Sequence, residues 1–315
     1  MSSEAYFTDG LFKLIYTFHM AAFMTVSGYL FYYSVKKHSV GELLKRRLTS
    51  TLIPIVFFAQ ITVVVSFATG SQAFSGVVNF AKYEFKIITG TLWFLWALLF
   101  CSIAMLIIAK VPFAWLKVVL SVGLIGAFFV VPDSLNLNYF KFMFPSFMCG
   151  YMFAKTNCSE KIKTLATPIK VIGSVALYGI FAVMYIFFDK SKYVYTTGVT
   201  ILGKNAPMQI YNDVYRWVIG IVGTACFAIT VAIIYRLVKW QPARNLMAFV
   251  GKRSLGIYIT NLLINSYLLI PLTKSFTPNV WVLLFETVVV LAICTLLTWL
   301  IEHIKPIKFL MLGAK

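Results

Sequence analysis

The fold is decided by residues 11–54, which read LFKLIYTFHMAAFMTVSGYLFYYSVKKHSVGELLKRRLTSTLIP. The first half is an apolar segment long enough to cross a bilayer, since about 20 helical residues span the hydrocarbon core. His19 lies inside that segment, the small pair Ser27-Gly28 follows it, and a strongly basic segment comes next. An ionisable group within a membrane segment indicates function, so any chemistry is expected here first.

Composition extends this interpretation to the whole chain. The 315 residues are 60% hydrophobic and only 12% charged, with a mean hydropathy of +0.86, whereas soluble domains are about 45–50% apolar and about 25% charged. We therefore predict an all-α, polytopic transmembrane helical bundle embedded in a lipid bilayer. The net charge of +18 comes without an aromatic-basic motif, so no nucleic-acid partner is expected. The five cysteines lack metal-like spacing, and no metal is expected.

Nine apolar segments are candidate membrane spans. They are residues 11–34, 50–69, 89–109, 113–131, 139–154, 168–188, 214–236, 248–270 and 279–302. No composition shift or low-complexity linker divides them, so a single membrane domain over 1–315 is predicted.

The distribution of the 28 Lys and Arg residues predicts the orientation of these spans. Most of them fall on alternate loops, including those at 36–47, 155–170 and 236–253, and at the C-terminal end. Cytoplasmic loops carry such an excess, so we predict a cytoplasmic C-terminus and an N-terminus on the other side. The longest outer segment, 189–213, is rich in Tyr, Thr, Asn and Gln, which suits sugar hydroxyls but equally a solvated loop.

Candidate site residues begin with His19, as a general base or hydroxyl-orienting group, or as a structural histidine bonded within the bundle. Ser27-Gly28 favours close approach of another helix or a local opening of the backbone. Lys45, Arg46 and Arg47 suit either lipid headgroups and topology or an anionic, phosphate-bearing ligand.

A polar stripe marks the eighth predicted span. Asn261 and Asn265 lie one helical turn apart on one face, beside Thr260. Such a stripe either joins helices or lines a cavity. Glu286, in the ninth span, is a carboxylate inside an apolar run and is expected to be neutral or paired.

Five segments in this order resemble the membrane acyltransferase 3 family, particularly its bacterial sugar O-acetylase branch. They are FHMAAFMTVSGYLF (18–31), LLKRRLTSTLIPI (43–55), LWFLWALLF (92–100), MFPSFMCGYMFAK (143–155) and SLGIYITN (254–261). They are similar to the family's "FHMPLFFFLSGYL", "KRRxxRLxxPY", "WFL", "FFxxGY" and "SLxIYLLH" segments.

The resemblance implies a bundle of about ten spans in the bacterial inner membrane that moves an acyl group from cytoplasmic acyl-CoA to a hydroxyl of a saccharide or glycolipid. It implies that Lys45, Arg46 and Arg47 bind the phosphates of the co-substrate, which we expect to be acetyl-CoA. It places His19 and Ser27 near the acyl-transfer cavity, and Asn261 in the last motif.

Two departures from the family pattern bear on activity. Family members begin with a further span that ends in "VxxH", whose histidine is the catalytic base, and no such span is expected upstream of Tyr6. The final histidine of "IYLLH" is replaced by Asn261. Either the start is assigned late or the chain is truncated, which we favour, or it is complete and inactive, or it uses His19 as its base.

We therefore predict a membrane O-acyltransferase that O-acetylates a cell-envelope polysaccharide or its precursor. His19, Ser27 and Asn261 are the candidate catalytic or orienting groups, and Lys45, Arg46 and Arg47 the candidate acyl-CoA ligands. A transporter of glycan or lipid-linked sugar is the alternative from another class, although it predicts paired broken helices in an internal repeat. An inactive truncated acyltransferase is the third possibility. The acceptor and the oligomeric state stay open.

Overall fold

The computed structural model describes residues 9–70, 76–269 and 280–313, apart from the side chains of residues 268, 280, 281 and 283. Within these ranges the chain forms fourteen α-helices and no strand, which confirms the all-α prediction. They are α1 Gly10–Lys37, α2 Val40–Ala68, α3 Val77–Gly90, α4 Trp93–Lys110, α5 Ala114–Val130, α6 Leu137–Lys155, α7 Cys158–Thr164, α8 Thr167–Ile186, α9 Val194–Thr197, α10 Ala206–Leu237, α11 Gln241–Lys252, α12 Ser254–Ile264, α13 Val280–His303 and α14 Lys305–Leu312.

Six of these helices, counted over the described ranges, are long and apolar enough to cross a membrane. They are α1, α2, α4, α8 and α10 together with Leu284–His303 of α13, and each coincides with a predicted span. The other three predicted spans are also helical. Ala114–Val130 is apolar but shorter, α6 carries Pro145, and 248–270 is divided between α11, α12 and a π-turn at Asn265–Leu269. The polytopic character of the fold is therefore confirmed.

The contacts group the chain into two compact units. The first unit comprises Met1–Leu44 and Trp93–Arg236, and the second comprises Lys45–Leu92 and Leu237–Lys315. Each unit is assembled from segments distant in sequence, and each is described separately below. The single domain over 1–315 stays a prediction.

The first unit is built on the pairing of α1 with α6. A Cβ on Gly28 would clash with the backbone carbonyl of Phe147, and a Cβ on Gly150 would clash with the carbonyl of Thr25. Each glycine thus lets the opposite backbone come into direct contact, as small residues do between membrane helices. Close helix approach, one of the two interpretations of Ser27-Gly28, is confirmed at Gly28.

Large apolar side chains fill the space around this contact. Met24 and Phe31 of α1 and Phe144 and Phe147 of α6 are fully buried in one cluster with residues of α4. Pro145 is accommodated inside α6, and Asp9 caps α1 by accepting a hydrogen bond from the Phe12 N–H at 2.6 Å. This core packs α1, α4 and α6 against one another, and all three helices contribute residues to the candidate site.

The second unit contains an equally close pair, α12 and α13. Gly256 lies directly against Thr298, so that a Cβ there would meet the threonine side chain. Arg253 and Glu302 form an ion pair of 2.6 Å between the same two parts of the chain. The end of α14 is fixed by Gly313, whose φ of +61° favours glycine and whose Cα lies against the backbone of Thr49 and Ser50.

Candidate functional site

One cleft in the first unit brings together residues from five of its helices, α1, α4, α6, α9 and α10, and from the connection between α8 and α9. We name it the aromatic cleft. Its polar lining is Thr17, His19, Lys192 and Arg216, and its aromatic lining is Tyr16, Trp93, Tyr139, Phe142, Phe188, Tyr193 and Tyr195. Predominantly aromatic walls with a few converging polar groups are typical of small-molecule sites.

His19 lies in this cleft with one ring nitrogen already engaged. Its Nδ1 lies 2.9 Å from the carbonyl oxygen of Ile15, one helical turn earlier in α1. Because a carbonyl only accepts, Nδ1 carries the proton in this bond, and the neutral ring then has an unprotonated Nε2. The ring of Tyr16 packs edge-on against the imidazole, with centroids 4.6 Å apart. The side chain is thus fixed as a hydrogen-bond acceptor.

The aromatic wall is continuous. Trp93 and Tyr139 have ring centroids 4.5 Å apart, Tyr139 and Tyr195 6.0 Å, and Tyr195 and Tyr16 5.8 Å. Burial and the neighbouring tyrosines raise the pKa of Tyr193 to about 12 and also raise the pKa of Tyr195. Both phenols therefore keep their protons at neutral pH, and the hydroxyl of Tyr195 is hydrogen-bonded to Tyr16.

The two cations of the cleft are buried and held by ion pairs. Lys192 is 7% exposed, and its Nζ lies 2.9 Å from Oδ2 of Asp189. Arg216 is 2% exposed, and its Nη1 lies 3.1 Å from Oδ1 of Asp213. Nη1 also donates to the Gly198 carbonyl, which fixes the segment after α9 to α10.

Asp133, in the loop between α5 and α6, holds the same segment from the other side. Its Oδ1 lies 2.8 Å from the Nζ of buried Lys141, and its Oδ2 accepts from the N–H groups of Val199 and Thr200 at 2.8 and 3.0 Å. Burial by itself would raise the pKa of Asp133, but the hydrogen bond from Lys141 and the two backbone N–H bonds outweigh it and lower the pKa. Asp133 is therefore ionised at neutral pH and positions the connection from which Lys192, Tyr193 and Tyr195 reach the cleft.

Ser27 is on the same helix as His19 but is not part of the lining of the aromatic cleft. Its hydroxyl donates to the carbonyl of Phe23 at 2.8 Å, within its own helix. The catalytic role of Ser27 stays a prediction.

The other predicted site residues are in the second unit. Lys45 and Arg46 are exposed on α2, and Arg47 is half-buried. Thr49 and Ser50, just after them, donate their hydroxyls to backbone carbonyls of the same three residues. The three cations are thus presented by a single helical turn, an arrangement compatible with binding phosphate.

Asn261 lines a separate cavity of the second unit. Asn265 and Glu286 line it too, and its empty volume, including the part open to solvent, is about 790 Å³. Thr260 is buried instead and donates its hydroxyl to the Gly256 carbonyl. Cavity lining, one of the two interpretations of this polar stripe, is confirmed for Asn261 and Asn265.

Sequence reasoning missed Arg216, Lys192 and Asp133 as members of a site. In the sequence, Lys192 and Arg216 resemble ordinary charges near the outer ends of spans. The composition of the segment 189–213 suits contact with a sugar and a solvated loop equally well. A signal was present, because Gln209, Asp213 and Arg216 are spaced four and three residues apart and share one helix face. All three are buried.

Comparisons with known proteins agree with this architecture. The family model of the acyltransferase 3 family, described as Acyltransferase domain, matches residues 1–299. The nodulation protein NolL of Sinorhizobium fredii is 22% identical over 213 residues, which are 66% of this chain and 56% of that protein. NolL of Mesorhizobium japonicum is 25% identical over 213 residues, which are 66% of this chain and 55% of that protein.

These alignments span a little over half the length of the two relatives, and no solved structure is significantly similar. The family model, in contrast, extends over nearly the whole chain and includes all five segments noted in the sequence. It also includes every residue of the aromatic cleft. This chain is therefore a member of the acyltransferase 3 family of membrane proteins.

Proposed function

We propose that this chain transfers an acetyl group from acetyl-CoA to a hydroxyl of a cell-envelope saccharide, and that the saccharide binds in the aromatic cleft. The hydroxyl oxygen attacks the thioester carbonyl, the C–S bond breaks, and the thiol of CoA leaves with the proton that the hydroxyl loses. This chemistry is supported by family membership, since the matching domain is an acyltransferase.

The observation that carries the proposal is the state of His19. Because Nδ1 donates its proton to the Ile15 carbonyl, the basic lone pair of the ring is on Nε2 and can accept a hydrogen bond from a ligand. A base within hydrogen-bond reach of a hydroxyl orients it and accepts its proton as the new bond forms. Among the described residues that line the cleft, His19 is the imidazole able to do this.

The remaining lining suits a sugar. Tyr193 and Tyr195 keep their hydroxyl protons, and the rings of Trp93, Tyr139 and Tyr16 supply apolar faces beside polar groups. A saccharide presents the matching pattern, with hydroxyls around the edge of a ring whose faces are largely C–H.

We further propose that the aromatic cleft lies on the side of the membrane away from the cytoplasm. His19 lies in the first half of α1, Trp93 and Tyr139 at the starts of α4 and α6, and Lys192 after the end of α8. The positive-inside rule assigns all of these positions to the outer side of a bacterial inner membrane and the C-terminus to the cytoplasm. A saccharide of the cell envelope is available there.

Lys45, Arg46 and Arg47 bind the phosphates of acetyl-CoA in this proposal. The same rule assigns their segment to the cytoplasmic side, where acetyl-CoA is found. Lys and Arg on one exposed turn match a phosphate ligand by charge and by the fork geometry of the guanidinium.

The test is acetyl transfer by membranes that contain the full chain, with labelled acetyl-CoA and a panel of envelope glycans. We expect His19→Ala to lower transfer by roughly 10²–10⁴-fold, the usual contribution of a general base. His38→Ala is the matched control, because His38 pairs with Glu42 at 3.1 Å and is absent from the cleft lining. Transfer unchanged in His19→Ala would remove His19 from the reaction. Absence of transfer by the unmodified chain to every glycan would refute the function.

A further inference from the structure

The two buried cations of the aromatic cleft are arranged asymmetrically with respect to their partners. Arg216 and Lys192 line the cleft, whereas their carboxylate partners Asp213 and Asp189 do not. Over the described residues, the lining contains no carboxylate at all. The cationic member of each ion pair therefore lies on the wall, and the charge that a ligand meets there is positive.

Arg216 also has a donor that its protein partners leave unused. Its Nη1 donates to the Gly198 carbonyl and its Nη2 to the Thr197 hydroxyl, both at 2.6 Å. Its Nε is buried and has no hydrogen-bond partner in the part of the chain that the structure describes. Buried polar groups are nearly always satisfied, so an oxygen of a water molecule or of a ligand suits this donor.

The type of oxygen follows from the donor. Hydrogen bonds from a guanidinium to an anionic oxygen are shorter and stronger than those to a neutral one, and Lys192 adds a second positive charge to the same wall. A neutral hydroxyl would also satisfy the geometry of Nε, but with a weaker hydrogen bond.

We propose that the aromatic cleft binds a saccharide that carries an anionic group, a carboxylate or a phosphate ester, with Arg216 as its direct partner. This inference rests on the proposed function, because it assigns a charge to the acceptor. The aromatic rings hold the sugar, His19 accepts from the hydroxyl to be acylated, and Arg216 binds the anionic group. Since His19 and Arg216 line one cleft, the two ligand groups are on the same or adjacent sugar units.

The test is direct binding by the purified full chain in a non-ionic detergent. The probes are a glucuronate-containing tetrasaccharide, the same tetrasaccharide with its carboxylates reduced to alcohols, and a version that carries a phosphate monoester instead. We expect at least one charged form to bind about tenfold more tightly than the reduced form, as is typical of a charge-assisted bond. Which charged form binds identifies the anionic group. Equal affinity for all three, or binding of none, would overturn the inference.

Variants then assign the effect to Arg216. Arg216→Gln is expected to remove the preference, and Arg216→Lys, which keeps the charge next to Asp213, to retain part of it. Lys190→Gln is the matched control, since Lys190 is exposed in the same connection and is not part of the lining. Thermal unfolding of each variant confirms that the cleft is intact. A preference that persists in a folded Arg216→Gln variant would overturn the assignment.

The two hypotheses fail separately in these experiments. Preferential binding of a charged tetrasaccharide without acetyl transfer to it would leave the anionic site in place and refute the proposed function. Acetyl transfer with the same KM for the charged and reduced forms would support the function and overturn the anionic site.

Discussion

The cations around the aromatic cleft and those on α2 form two different kinds of basic region. Arg216, Lys192 and Lys141 are almost fully buried, and each is paired with a carboxylate. Lys45 and Arg46 are exposed on a helix surface. A buried charge is tolerated only with its partner in place, whereas an exposed charge costs little to desolvate.

The two regions therefore respond differently to the same substitution. Removal of one partner of a buried pair leaves the other charge desolvated and uncompensated. Removal of an exposed cation changes surface potential but few contacts. Substitutions in the first region should lower the stability of the fold as well as ligand binding, whereas substitutions in the second region should lower ligand binding alone.

Asp133→Ala is expected to have the largest effect on the stability of the fold. The substitution leaves Lys141, which is 2% exposed, without its carboxylate, and leaves the N–H groups of Val199 and Thr200 without their acceptor. Breaking a buried pair typically costs about 3–5 kcal/mol. Denaturant unfolding of the detergent-solubilised protein should show this loss in the free energy of unfolding.

The matched control is Glu160→Ala. Glu160 pairs with Lys163 at 2.8 Å on α7, but both side chains are about 70% exposed, and exposed pairs of this kind contribute little to stability. If the two substitutions had equal effects on unfolding, the contrast between buried and exposed charges would be wrong.

Acidification is expected to lower the stability by a smaller amount, through protonation of the same carboxylate. The pKa of Asp133 is lowered in the folded protein, so its ionised form contributes stability at pH values above the unfolded pKa of about 3.9. That contribution is lost as the pH falls through the lower, folded pKa. The Tm measured between pH 7 and pH 3 should therefore fall less steeply in Asp133→Asn than in the unmodified protein. Parallel curves would show that Asp133 does not titrate as proposed.

The sequence predicted those parts of the fold that depend on local properties, such as the length of an apolar segment or the size of one residue. Apolar length predicts the spans, because bilayer thickness sets it, and six of the nine coincide with helices that meet this criterion. The small residue Gly28 predicts a close helix contact, because a missing side chain leaves room for any neighbour. The sequence also indicates His19, which the structure places in a cleft, and its catalytic role stays a prediction.

Asp133, one of the missed residues, depends on partners that are distant in sequence, whereas Lys192 and Arg216 pair with carboxylates three positions away. Asp133 bonds to Val199 and Thr200, 66 and 67 positions away, and the pairing of α1 with α6 joins segments more than 100 positions apart. Hydropathy and spacing carry no information on such pairs. Lys45, Arg46 and Arg47 were noticed because they are adjacent in sequence, whereas the cations of the cleft are dispersed and resemble ordinary loop charges.

The smallest expected effect on stability is that of Lys45→Ala combined with Arg46→Ala. Both side chains are exposed on α2, and surface substitutions usually stay within about 0.5 kcal/mol each. If this turn binds the phosphates of acetyl-CoA, the affinity of membranes for acetyl-CoA should nevertheless fall, and the difference should shrink as salt screens the interaction.

Lys155→Ala combined with Lys161→Ala is the control for that experiment, because it removes the same charge from exposed positions at the end of α6 and on α7. Equal losses of acetyl-CoA affinity in the two double variants would mean that total charge, rather than the turn at 45–47, attracts the ligand. A loss confined to Lys45→Ala with Arg46→Ala, with unfolding unchanged, would show that these two exposed cations act on the ligand and contribute little to the stability of the fold.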